Sequence, residues 1–194
     1  MVMKRIRSEK KLICCIHEAG HAVVHHYLGH QVDRVFIAKR GTPNGGTVVI
    51  TSGHRVDGVF FPFDLERYGP GLIAGSVAEF KCQGSEWTGH DMLYGLNGNY
   101  MNSLADGNIK VLRAFAKYAR LNDSDTADTW NRYAERATPI LEEHWDEVTA
   151  VAVALYEQSE LTRGDFLQFV GPLQAAAFVM SELQERINRL WSAA

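Results

Sequence analysis

The chain is poor in cysteine: Cys14, Cys15 and Cys82 are three in 194 residues, two of them adjacent. An odd number so placed excludes a disulfide framework. Long apolar runs are missing too; nothing approaches about 18 consecutive apolar residues, so no membrane segment is expected. Positive charge is not in excess. Twenty Lys and Arg stand against 23 Asp and Glu, for a formal charge of −3, and no nucleic-acid partner is expected. No internal repeat and no long linker is visible. What remains is a chain with 46% hydrophobic residues, long enough to bury a core, and residues 1–194 read as a single domain.

Five basic residues (Lys4, Arg5, Arg7, Lys10, Lys11) precede the apolar stretch Leu12–Ile16. That stretch ends at once in His17-Glu18 with no small-residue cleavage site, which argues against a signal peptide. The basic cluster reads as a solvated helix start, the alternative being contact with an anionic partner. A cytoplasmic chain with reduced thiols is the expectation.

Hydrophobic spacing predicts a first helix from Ser8 to Leu28, stopped by Gly29, with one stripe of residues facing inward. Val32–Ala38 and Thr47–Thr51 read as strands, joined by the turn cluster Gly41–Gly46 into a hairpin with a long loop. Gly53–Pro62 reads as loop. A helix over Asp64–Lys81 is expected to break at Gly69-Pro70-Gly71, leaving Leu72–Lys81 as its solid part. Gly84–Asn108 is an irregular connection of the length that is usually functional or mobile. Beyond it, helices are expected over Ile109–Leu121, from an Asp123 or Ser124 cap to Arg136, and over Ile140–Gln158. Thr138 and Pro139 would open the last of these. Thr162–Asp165 resembles a capping box for a short helix to Val170. A final helix, 173–191, carries Leu173, Ala176, Met180, Leu183, Ile187 and Leu190 at coiled-coil-like spacing. That seam packs on the protein's own body or makes a homo-oligomer.

One constellation carries chemistry: His17-Glu18-Ala19-Gly20-His21, inside the first helix. Residues four apart share a face, so both imidazoles can reach one ion, while Glu18 is turned aside, near enough to act on water. A chance pattern of packed histidines is the bland alternative. Against it, Ala19 and Gly20 are small and Ala22–Val24 continue the apolar helix. A catalytic zinc site needs a third protein ligand. Val24 and Tyr27 stand where a metzincin would have Gly and His, and His25 lies a turn too far, as a packed or surface residue. Glu66 and Glu79 are carboxylate candidates from the following helix. Asp91, in Thr88-Gly89-His90-Asp91, is better placed, with His90 its immediate competitor. Cys14, a turn before Glu18, reads as a buried small hydrophobe.

His17–Val24 resembles the start of the peptidase domain of FtsH-type ATP-dependent zinc proteases. The resemblance continues through Val32–Gly41, Gly46–Ile50, Ile73–Phe80 and Thr88-Gly89 with Asp91, and spans about residues 12 to 170. Departures are Ser76 for the family's Arg, Phe80 for its second Glu, and one residue instead of three between Gly89 and Asp91. Asp91–Gly95 is also similar to the Asp-x-x-Tyr-Gly of aspzincins. No Gly-x-x-x-x-Gly-Lys-Ser/Thr loop occurs, so a peptidase unit without motor or anchor is expected.

The resemblance implies a mainly α (α+β) fold: a zincin-like HExxH helix, a small β-hairpin or sheet, and a C-terminal helical bundle. It implies one Zn2+ per chain on His17, His21 and Asp91, with Glu18 as general base. Glu79 is either a carboxylate orienting a zinc ligand or a helix-surface residue. His54 and His90 are candidates for the cleft, and Thr47, Val48, Val49 and Ile50 for an edge strand receiving substrate, or a plain hairpin arm. The expected activity is zinc-dependent hydrolysis of unfolded proteins or short peptides, with substrate delivered by a separate partner or arriving unfolded. The rival is a catalytically silent peptidase-like interaction protein, still able to hold zinc.

Overall fold

The computed structural model describes residues 2–37, 45–50, 53–56, 59–62, 64–84 and 107–171, with side chains over 10–37, 45–50, 62, 64–84 and 111–171. The fold is mainly α with a small antiparallel sheet. In chain order the elements are α1 (Val2–Tyr27), β1 (Gln31–Ile37), β2 (Gly45–Ile50), β3 (Gly53–Val56), β4 (Val59–Pro62) and α2 (Leu65–Cys82). Then follow α3 (Gly107–Tyr118), α4 (Asp123–Glu143), α5 (Trp145–Gln158), β5 (Glu160–Thr162) and α6 (Arg163–Phe166). Among these residues no helix is long and apolar enough to cross a membrane.

Helix α1 is the axis of the molecule. It begins at Val2, six residues before the expected start, and every residue from Leu12 to His25 is buried. That differs from the single inward stripe expected, because α1 is enclosed by α2, α5, β1 and β2 at once. Enclosure on all sides is what its apolar segment Leu12–His25, interrupted only by His17, Glu18, His21 and His25, requires. Its closest neighbour is α2. A Cβ on Gly20 would stand 2.6 Å from Ala78 Cβ and 2.9 Å from the Ala74 carbonyl oxygen. Small residues on both helices therefore let the two backbones nearly touch.

The predicted break in α2 does not occur. Pro70 sits inside one continuous helix, where its missing N–H leaves the Glu66 carbonyl without its normal helical donor. The Arg136 guanidinium of α4 donates to that carbonyl instead. Burial of Leu72, Ile73, Ala74, Val77 and Ala78 holds the helix straight through. Likewise α4 runs through Thr138-Pro139 to Glu143, and its N-cap is Asn122, whose side chain accepts from Asp125 N. Tyr133, Ala137 and Leu141 bury one face across the proline, and that burial outweighs one lost backbone bond. The break falls at His144 instead. Glu142 and Glu143 are unfavourable at a helix C-terminus, whereas Asp146 and Glu147 suit the first turn of the next helix.

The sheet has the order β2-β1-β5, both pairs antiparallel. The β1–β2 hairpin matches the expectation, pairing Val35 with Thr47 and Ile37 with Gly45. Strand β5 was not anticipated. Its three residues carry too little alternation to be read as a strand, and only pairing with Arg34, Val35 and Phe36 makes them one. Gly53–Pro62, expected as loop, forms the hairpin β3–β4. The capping box at Thr162 and Asp165 is present, opening a helix that ends at Phe166 rather than Val170. The stretch 85–106 and the proposed final helix 173–191 lie outside the described residues.

Candidate functional site

The HExxH segment lies in the enclosed part of α1. His17, Glu18 and His21 are 4%, 5% and 1% exposed. Buried imidazoles need their ring nitrogens directed by fixed partners, and α2 supplies both. His17 Nδ1 donates to Glu79 Oε2 at 3.2 Å. His21 Nδ1 donates to the Gly71 carbonyl oxygen at 2.7 Å. The Gly75 N–H lies 3.3 Å from the same Nδ1, a packing contact, since a nitrogen that donates to Gly71 cannot also accept.

With both Nδ1 atoms donating, each ring turns an Nε2 lone pair toward the other, and the two Nε2 atoms are 3.1 Å apart. The rings meet edge to face, with centroids 4.7 Å apart at 81°. Two imidazole ligands of a tetrahedral zinc ion, each bonded at about 2.05 Å, stand about 3.3 Å apart. The pair therefore fits two corners of such a site, and their Nδ1 atoms are held as those of metal-ligating histidines usually are. Glu79 is buried rather than on the solvated helix face, and among the described residues its Oε1 has no hydrogen-bond partner. Glycine makes the arrangement sterically admissible. A Cβ on Gly75 would be 2.3 Å from His21 Nε2 and 2.8 Å from His17 Cδ2.

Glu18 points toward the sheet. A Cβ on Gly45 would lie 2.6 Å from Glu18 Cγ and 2.7 Å from its Oε1. The Thr47 hydroxyl is 2.9 Å from the Glu18 main-chain oxygen and 3.3 Å from its Oε2. Among the described residues β2 is an edge of its sheet, and of the expected substrate-strand residues Thr47 is in contact with Glu18. Val48 and Val49 are half-buried and Ile50 is 55% exposed.

Other sequence candidates fall elsewhere. Asp91 and His90 lie outside the described residues, and His54 is described only as backbone of β3. Among the described residues no group of three or more His, Cys, Asp or Glu side chains is placed to hold a metal ion. Glu66 is exposed and accepts from Tyr133, far from the histidine pair in role and setting. His25 is buried, with its Nδ1 2.9 Å from His30 Nδ1, and is held well below its ordinary value by desolvation, then by His21 and His30. Burial, and then the charges of Glu18 and Glu79, push the Cys14 thiol up to about 12. A thiol so shifted is inert at neutral pH.

Sequence reasoning missed one contributor and gave another a different place. Gly71 orients His21 through its carbonyl, which no side-chain motif announces. Thr47, named as part of the substrate strand, also touches Glu18, which its place in a strand did not signal. The chain matches no protein-family model and no curated protein.

Proposed function

We propose that this protein is a zinc-dependent endopeptidase acting on unfolded proteins or short peptides, similar to the peptidase domain of FtsH-type proteases. The observation that carries the reading is the 3.1 Å approach of His17 Nε2 and His21 Nε2, both rings fixed at Nδ1, beside a buried glutamate. Packed histidines with a merely structural role have no need of matched tautomers or of a carboxylate base one residue away.

In this reading His17 and His21 hold the ion, with Asp91 as the third ligand, and Glu79 keeps His17 oriented. Zinc, when bound, would supply a Lewis acid that lowers a water's pKa toward about 7 and stabilises oxyanion charge. Glu18 takes the proton of the attacking water as it adds to the peptide carbonyl. The same carboxyl then hands the proton to the departing amine. Substrate enters extended along β2, backbone pairing with backbone, which tolerates many sequences.

The test is a peptide-library and unfolded-protein digest with the zinc-loaded wild type and Glu18→Gln. Cleavage by the wild type alone is expected. Equal cleavage by both sinks Glu18 as the base, and cleavage by neither favours an interaction protein.

A further inference from the structure

Strand β2 meets Glu18 from two positions on one face. Residues two apart in a strand point to the same side, and Gly45 and Thr47 are such a pair. Gly45 leaves room: a Cβ there would stand within 2.7 Å of both Glu18 Cγ and Glu18 Oε1. Thr47 offers a grip. Its single hydroxyl proton has two acceptors on one residue, the Glu18 main-chain oxygen at 2.9 Å and Oε2 at 3.3 Å. Rotation about the Thr47 Cβ–Oγ1 bond moves that proton between them without displacing either backbone.

We propose that Thr47 is a positioning residue for Glu18, holding the carboxylate against β2 so that the strand receiving substrate also sets the place of the base. This rests on the endopeptidase reading above. A glutamate side chain has three rotatable bonds, and a general base works only within hydrogen-bond reach of the proton it removes. One hydroxyl that fixes the carboxylate raises the fraction of time it is in place. The gain acts on turnover, whereas substrate pairing along the β2 backbone needs no threonine hydroxyl.

The experiment compares wild type, Thr47→Val, Thr47→Ser and Glu18→Gln as zinc-loaded full chains on one cleaved peptide, with zinc content measured in parallel. Thr47→Val is expected to lower kcat about tenfold, the scale of one lost hydrogen bond to a charged group. KM should stay within about twofold, zinc content should not change, and Thr47→Ser should restore most of kcat. Should Thr47→Val not fold, Thr47→Ala replaces it, since it too removes the hydroxyl, and kcat should again fall. Wild-type kcat in Thr47→Val or in its substitute Thr47→Ala, with Glu18→Gln inactive, overturns the positioning role. An equal fall for Val and Ser overturns it too, because packing would then be the cause. Full activity in Glu18→Gln, or a wild type that cleaves nothing, overturns the endopeptidase reading itself.

Discussion

His17 and Glu79 join the two central helices at the candidate site: His17 Nδ1 donates to Glu79 Oε2 across 3.2 Å, with both residues buried. The bond selects the tautomer that leaves His17 Nε2 as the outward ligand nitrogen. It also explains why a buried carboxylate is kept near the C-terminal end of α2, where it would be costly without a partner.

If Glu79 orients a zinc ligand, Glu79→Ala should weaken zinc binding by about 10- to 100-fold while leaving the ligands themselves in place. Competition with a chelator of known affinity measures this. An unchanged affinity would mean that the His17–Glu79 bond serves packing alone.

Zinc itself is the next expectation. Purified protein should carry about one zinc per chain by elemental analysis. Ala at His17 or His21 should abolish it, and Asp91→Ala should weaken it strongly. Retention of zinc by Asp91→Ala with loss in His90→Ala would move the third ligand one residue.

The close approach of α2 makes Gly75 sensitive. Its Cβ would lie 2.3 Å from His21 Nε2, so Gly75→Ala should destabilise the fold by about 1–3 kcal/mol as overpacking does, and displace the imidazole. Gly164, whose Cβ would meet among the described residues only Thr162 Oγ1 at 3.8 Å, serves as a comparison and should tolerate alanine far better. Thermal denaturation of both variants decides the matter, and equal effects would refute the steric account.

Acid should weaken the protein through His25. Its folded-state value is well below the ordinary 6.5, first because burial disfavours the charged ring and then because His21 and His30 repel it. His26 and His30 are shifted in the same direction. From 6.5 downward the unfolded chain therefore binds more protons than the folded one, so stability falls as pH drops through that window and is retained above it. Urea denaturation at a series of pH values should show this slope, and His25→Gln should flatten it. A wild type with pH-independent stability below 6.5 would contradict the account.

Some of this was readable in the chain alone. The helical state of α1, the β1–β2 hairpin and the Thr162–Asp165 capping box depend on neighbours within a few residues, where propensity and cap chemistry act directly. The helix breaks were misplaced for a different reason. Pro70 and Pro139 each remove a local bond, and sequence reasoning counted that loss. It had no access to Arg136, which supplies a donor to Glu66 from another helix, or to the buried face of Tyr133, Ala137 and Leu141. Strand β5 and hairpin β3–β4 failed similarly, being too short to signal their pairing.

The sequence by itself determined that His17 and His21 share a helical face with Glu18 beside them, because a 3.6-residue turn leaves no other outcome. Tertiary structure alone decided which nitrogens face each other, since Glu79 and the Gly71 carbonyl come from a helix some fifty to sixty residues away. It also decided that β2 should lie against Glu18. Helical spacing is set by bonded neighbours, whereas tautomer and rotamer are set by whatever the fold packs against the ring and the carboxylate.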